Sequence, residues 1–312
     1  MTDKKITDKE IKTLFIVENG LNTCYIDSLL MALFYKPSTY LDNLLITEPK
    51  DPNYIYLQSI IKLKFVDVVR KNISITADVI NEIRIFSNIC GWKYDMPDEL
   101  TEQQDVNEFY TFLMDKMNTP LIEIQRQTIS EALTDKNDIG SIEKIPFINL
   151  HIQENENETS IKELLNIWMN HNPIDVNREI IDDVGIKRLT SVKALNVYRI
   201  VNVPMFIGLS LNRFPGGKRL DTMIDIQKKI KLYQYDSQDG LRWRIHSVIC
   251  HKGETPKAGH YYSALFDGDN SWLLFDDQSI PSLKEVNIKD TEISDTIKRE
   301  AVFAIYTYDE TI

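Results

Sequence analysis

The sequence predicts an α+β fold, with helices gathered in the first half of the chain and strands in the second. Two patterns carry that reading. Up to about residue 120, apolar residues recur at three- and four-residue spacing. Beyond residue 195, short runs rich in Val, Ile, Leu, Phe and Tyr alternate with turn residues. A helical lobe followed by a β lobe places an active site between the two halves.

In chain order, Cys24–Phe34 is the first helical stretch, closed by Lys36-Pro37. Tyr54–Val69 and Ile75–Cys90 keep the same period. Asp105–Met117 places Val106, Phe109, Phe112 and Leu113 on one face. From about residue 145 the pattern changes. Ile145–Ile152 reads as a strand, Glu154–Glu158 as an exposed turn, and Ser160–Met169 as a helix with a hydroxyl residue at its start. The later strands are expected at Val197–Val203, Phe206–Phe214, Leu241–Cys250, His260–Phe266, Trp272–Asp276 and Ala301–Tyr308. Pro215-Gly216-Gly217, Asp239-Gly240 and Asp267–Asn270 supply the turns between them.

The chain has 312 residues, enough for one large domain or for two or three packed lobes. Hydrophobic residues make up 43% and charged residues 27%, the balance of a folded protein. A net charge of −11 argues against nucleic-acid binding, which needs a basic footprint. The three cysteines, Cys24, Cys90 and Cys250, make neither a disulfide framework nor a CxxC pair, so a structural zinc site is not indicated. The charged N-terminus has no apolar signal core, and no apolar run approaches the ~20 residues of a membrane span. The expectation is an intracellular protein, cytoplasmic or nuclear, with no metal, cofactor, nucleic-acid or membrane partner.

Cys24 is the candidate nucleophile. A cysteine attacks as thiolate, and the start of a helix lowers its pKa. Asn22 and Thr23 are good N-cap residues directly before it. Its bland alternative is a small buried apolar residue, the commonest fate of a free cysteine. Cys90 and Cys250 lie in packing positions. Asn19, just upstream, could donate to an oxyanion, and Asn19-Gly20 is also a common turn pair. Among the five histidines, His260 follows Gly259 and opens a strand, which suits a general base held at a cleft edge. His251, in His-Lys-Gly, is its main rival. Asp276 and Asp277 end an apolar strand that a turn at 267–270 would fold back beside His260. Either carboxylate could orient an imidazole, or simply terminate the strand.

Taken together, these segments resemble the ubiquitin-specific proteases, papain-like deubiquitinases. Asn19–Ser28 is similar to the family's Cys box, Gln103–Phe109 to its Gln-Gln-Asp-x-x-Glu-Phe segment, and Leu209–Phe214 to its Leu-x-Leu-Lys-Arg-Phe strand. His251–Gly253, Gly259–Tyr261 and Trp272–Asp277 follow the His box in order, and Ala301–Tyr308 resembles the closing strand. The resemblance implies a single catalytic domain with a thumb (1–124), fingers and connections (125–205) and a palm (206–312). It implies a triad of Cys24, His260 and Asp276, with Asn19 at the oxyanion position and Asp277 as a nearby polar helper. It also implies that Asp105 and Glu108 engage arginines near the ubiquitin tail, that Tyr261 lines the channel for its terminal glycines, and that His251 is not the base.

The departures shape the expectation. Leu21 stands where the family has glycine, Asp27 where it has Asn, Met31 where it has Gln, and Asn212 where it has Lys. The CxxC pairs that bind zinc in many members' fingers are missing, so a zinc-free fingers region is implied. The expected partner is ubiquitin or a ubiquitinated protein. The alternatives are another modifier ending in Gly-Gly, and a catalytically inactive ubiquitin binder.

Overall fold

A computed structural model describes residues 15–49, 51–130, 138–181, 185, 187–234, 240–268 and 271–310. The first 14 residues of the expected thumb therefore lie outside the described residues. The longer helices are α1 (Cys24–Phe34), α2 (Pro52–Ile60), α3 (Ala77–Ile89), α4 (Val106–Lys116), α5 (Ile161–Asn170) and α6 (Thr291–Glu300). Their starts are chemical. Asp51, Asp105, Ser160 and Asp290 each turn a side-chain oxygen back to a free N–H in the first turn of α2, α4, α5 and α6. After α2 the chain stays helical through a wider turn at Ile61–Val66 and ends at Asp67–Val69.

The strands are β1 (Ile122–Ile129), β2 (Asp138–Ile145), β3 (Ile148–His151), β4 (Glu158–Ser160), β5 (Asn172–Ile181), β6 (Lys187–Ile200) and β7 (Phe206–Asn212), followed by β8 (Met223–Asp225), β9 (Lys229–Tyr233), β10 (Gly240–Thr255), β11 (Ala258–Phe266), β12 (Ser271–Phe275), β13 (Leu283–Asn287) and β14 (Ala301–Tyr308). They form a main sheet ordered β13-β12-β11-β10-β14-β7-β3, with β9 added to β10. Its pairs are antiparallel except for β3 with β7. A four-stranded antiparallel sheet, β2-β1-β6-β5, stands apart, and β4 pairs with β8. That separate sheet is built almost wholly from residues expected to form the fingers. β3 and α5, from the same span, pack with the main one.

The main sheet is buried on both faces, and alternation along its strands decides which residue goes where. Ile249, Tyr261, Leu265, Phe303 and Ile305 join α1 to α4 in one core. Their neighbours Val248, Cys250, Tyr262, Ala264, Ala304 and Tyr306 join α5 and α6 in a second. Every residue of α1 is buried. Two side-chain contacts help seat this helix: the Ser247 hydroxyl donates to the Ala32 carbonyl at 2.7 Å, and the His246 ring bonds the Leu33 backbone. Among the described residues no helix is long and apolar enough to cross a membrane.

Arg213, at the end of β7, is fully buried and donates to four carbonyls, those of Ala301, Leu220, Thr222 and Lys298. Those acceptors belong to α6, to the start of β14 and to the loop before β8. One guanidinium therefore ties these three segments together, and burial lowers its pKa to about 10. Arg213→Met is expected to leave the carbonyls unpaired and to lower folding stability by about 3 kcal/mol, measured by urea denaturation.

Candidate active site

The segment before Asn19 is clamped from both sides. Ile75 donates its N–H to Ile16 and accepts from Glu18, both at 2.9 Å. On the other side Val17 donates its N–H to Ser282 Oγ at 3.0 Å, and Ser282 donates its own to the Phe15 carbonyl at 2.9 Å. The Ser282 carbonyl accepts from the Asp276 N–H at 2.8 Å. Ser282 thus stitches the chain leading to Cys24 onto the loop that carries Asp276 and Asp277.

Between Asn19 and Cys24 the loop is tight. Gly20 donates its N–H to Thr23 Oγ1 at 2.8 Å, and a Cβ at Gly20 would meet Asn81 Oδ1 at 2.8 Å. Leu21 and Asn22 both take left-handed backbone angles, φ 69 and φ 57. Leu21 is a side chain in a conformation that favours glycine, and it is mostly exposed. Arg84 holds the loop by donating to the Leu21 and Gly20 carbonyls and to Asn81 Oδ1.

The helix-start expectation for Cys24 needs correction. Thr23 occupies the N-cap position but its hydroxyl makes no cap bond, because it accepts from Gly20 and donates to Asp27 Oδ2 at 3.0 Å. Asn22 turns away to the Thr101 carbonyl. Cys24 is buried, and burial pushes its thiol up to about 12 despite backbone N–H groups of Tyr261 and Tyr25 at the sulfur. Asp277 and Asp27 push the same way. Desolvation outweighs the helix start, so the resting cysteine is a neutral thiol.

His260 enters on β11, and β12 pairs beside it with Ser263 opposite Phe275. That register brings the ring to the residues following Phe275. His260 Nε2 lies 2.8 Å from Asp276 Oδ1 and 3.6 Å from Asp277 Oδ1. Its other nitrogen, Nδ1, is buried without a hydrogen-bond partner. With Nε2 donating to Asp276, Nδ1 is left free to accept a proton. Burial alone would raise Asp276, but the bonds from His260 and from the Gln278 N–H outweigh it and hold the carboxyl below its usual value. Its chain neighbour Asp277 goes the other way: burial raises it, although Asn19 Nδ2 donates to its Oδ2 at 2.5 Å.

His251, the rival base, is fully buried and lies edge-on to Phe214 and 4.4 Å from the Tyr261 ring. Burial lowers it to about 4, and no carboxylate faces it in a hydrogen bond; its Nε2 contacts the Gln103 amide at 3.2 Å. Asp105 caps α4 through the Asn107 N–H at 2.6 Å. Glu108 sits at the surface and pairs with Lys93 at 2.8 Å. Tyr261 is buried, with its hydroxyl donating to the Pro256 carbonyl at 2.9 Å. Asp105, Asn107, Asn149, Asn212, Pro256 and Tyr261 help line a cleft of about 250 Å³. Tyr261 connects that cleft to Cys24. Among the described residues, one group of three possible metal ligands converges, His260, Asp276 and Asp277, with ligand atoms within 4.8 Å. Sequence reasoning missed Ser282, which carries no motif, and treated Asp27 only as a departure. Asp27 is completely buried three residues after Cys24, and its signal in the sequence is an acid inside an otherwise apolar helical run.

The ubiquitin carboxyl-terminal hydrolase family model matches residues 17–306. Ubiquitin carboxyl-terminal hydrolase 25 of Arabidopsis thaliana is 22% identical over 304 residues, covering 85% of this chain and 44% of that protein. Probable ubiquitin carboxyl-terminal hydrolase 9 of Schizosaccharomyces pombe (strain 972) is 25% identical over 211 residues, covering 59% and 35%. The chain thus spans less than half the length of these curated relatives. Among solved structures, a chain of the SAGA Ubp8/Sgf11/Sus1/Sgf73 DUB module bound to ubiquitin aldehyde superposes with a TM-score of 0.69 at 14% identity, covering 98% of this chain and 72% of that one. At that identity the likeness is one of fold.

Two outcomes test the loop and the thiol. Leu21→Gly is expected to relieve the left-handed strain and raise stability by about 0.5–1 kcal/mol in urea titrations. Alkylation of Cys24 by iodoacetamide, followed by peptide mass mapping, is expected to rise about tenfold per pH unit from pH 7 to 9. A plateau below pH 7 would instead show a resting thiolate–imidazolium pair.

Proposed function

The chain belongs to the ubiquitin carboxyl-terminal hydrolase family, and we propose that it is a thiol-dependent deubiquitinase cleaving the peptide or isopeptide bond after the C-terminal glycine of ubiquitin. The observation that carries this reading is the imidazole of His260, tied to Asp276 through Nε2 at 2.8 Å while Nδ1 stays buried and unbonded. In this reading residues 1–124 act as thumb, 125–205 as zinc-free fingers and 206–312 as palm. The three cysteines are free, which supports an intracellular setting.

Each step follows from the resting charges. Because Cys24 starts as a neutral thiol, its proton passes to His260 Nδ1 as Sγ attacks the glycine carbonyl carbon. Asp276, held ionised, stabilises the imidazolium and fixes the ring. The oxyanion takes a hydrogen bond from Asn19, whose amide has two N–H groups and spends one on Asp277. Collapse breaks the C–N bond, and the leaving amine takes the proton from His260. Water then attacks the thioester, gives a proton to His260 and releases ubiquitin with a free carboxylate. Cys24 recovers its proton from His260.

The cleft beside Tyr261 is the natural seat for the ubiquitin tail, with Asp105 and Glu108 facing its arginines. Glu108 would exchange Lys93 for the incoming guanidinium. A second reading, an inactive ubiquitin binder, is favoured by one observation, the raised Cys24 thiol with no hydrogen bond to His260.

Mixing the protein with ubiquitin bearing a C-terminal electrophile separates these readings by intact mass. A one-ubiquitin adduct that disappears in Cys24→Ser is the expected result. Folded protein that binds ubiquitin without an adduct supports the inactive binder, and an adduct formed only with another Gly-Gly-ending modifier reassigns the substrate. His260→Ala is expected to lower kcat by about 10²–10⁴-fold on a fluorogenic ubiquitin amide.

A further inference from the structure

Behind the triad lies a second pair of acids that the mechanism above does not use as a pair. Asp27 projects from the first turn of α1 and has no exposure to solvent; Asp277 follows Asp276 and is 8% exposed. Asp27 Oδ2 accepts from the Thr23 hydroxyl, and Asp277 Oδ2 accepts from Asn19. The remaining oxygen of each, Oδ1, is buried with no conventional donor. The two carboxyl groups lie close enough to share a hydrogen bond if one of them carries a proton. Two carboxylates offer only acceptors, so such a contact requires a proton on one of them.

The surroundings decide which acid carries it. Asp277 faces the Asn19 amide and, at 3.6 Å from its Oδ1, the His260 ring, both of which favour its ionised form; Asp276 opposes them from the adjacent position. Asp27 faces Asp277, the Thr23 hydroxyl and the nearby Cys24 and Tyr25, with Arg84 as the charged group that favours its ionisation. Arg84 spends its own N–H groups on the Leu21 and Gly20 carbonyls and on Asn81, and makes no hydrogen bond to Asp27. Burial and the facing acid prevail.

We propose that Asp27 is a positioning residue that stays protonated at neutral pH and donates to Asp277, so that a carboxylic acid–carboxylate pair holds Asn19 at the oxyanion site. The proposal deepens the reading of Asn19 given above and rests on it. The shared proton also removes one of two negative charges that would otherwise oppose thiolate formation at Cys24. The sign of the linkage follows. Asp27 lies well above its usual value in the folded chain, so the pairing is intact at lower pH and is lost as pH rises through that raised value. An asparagine at this position would donate from its amide at every pH.

Infrared difference spectroscopy reads the proton directly. At pH 7, wild type minus Asp27→Asn is expected to show a protonated-carboxyl C=O band that shifts in D₂O. Superimposable spectra in that region would overturn the proposal, and this readout needs no activity. With fluorogenic ubiquitin amide, Asp27→Leu is expected to lower kcat on the order of tenfold with KM nearly unchanged, while Asp27→Asn recovers most of that loss. Equal impairment of the two variants, both shown folded by thermal melting, would also overturn it. If wild type cleaves no ubiquitin substrate, the proposed function fails while the infrared band still decides the state of Asp27.

Discussion

The complete burial of α1 is the constraint from which the site follows. All eleven of its residues are enclosed between the other helices and the main sheet. A helix so placed cannot slide, because Ser247 holds the Ala32 carbonyl and His246 holds Leu33 near its far end. Cys24 at its start is therefore fixed against β11, where the Tyr261 N–H meets the sulfur. The same enclosure removes water from the thiol, from Asp27 and from Ser28. Positional rigidity and a raised thiol pKa are two consequences of one packing arrangement.

The site spans three distant stretches of chain, and backbone hydrogen bonds join them together with the Ser282 hydroxyl and the Asn19 amide. Ser282 links Phe15 and Val17 to Asp276, while Ile75 closes the other side of the same segment. With both ends held, the five residues from Asn19 to Thr23 must turn in little space. Gly20 is then confined by Asn81, and the sharp turn falls on Leu21 and Asn22. A left-handed leucine persists because Arg84 grips the carbonyls of the turn from below. The strain is local, and it sits beside the side chain, Asn19, whose position matters most.

The sequence made the long elements legible where one period dominates. Cys24–Phe34 is a helix over the expected residues, and Ala301–Tyr308 is a strand over the expected residues. β11 and β12 pair as the turn expected at Asp267–Asn270 requires, although Asp269 and Asn270 lie outside the described residues. What failed to show was structure without a buried face. None of Asn172–Asn177 in β5 is buried, and Lys187–Lys193 in β6 is exposed except at Val192, so little apolar signal marks a strand there. α6 offers only Ile293 and Ile297 at helical spacing, and of its residues Ile297 is the one that is buried, so its apolar face is short. At the site, residue types were visible but burial was not. Thr23 read as an N-cap because its partners, Gly20 and Asp27, cannot be inferred from spacing. The thiol read as activated because desolvation has no sequence signature.

Asp276 and Asp277 show how far neighbouring identical residues can be driven apart. Nothing in Phe-Asp-Asp distinguishes them chemically. Leaving the strand, however, successive side chains point to different surroundings. Asp276 keeps partial exposure and collects the His260 ring and the Gln278 N–H, and it stays ionised below the ordinary range. Asp277 turns inward, where burial raises it and Asp27 meets it across the interface with α1. The first is suited to balancing an imidazolium, which needs a permanent negative charge. The second is suited to receiving hydrogen bonds from a loop and a helix at once, which needs a fixed place and tolerates a shared proton. Two roles in one dipeptide thus come from the direction in which each carboxyl faces, and the helix that buries Cys24 also supplies the wall that separates them.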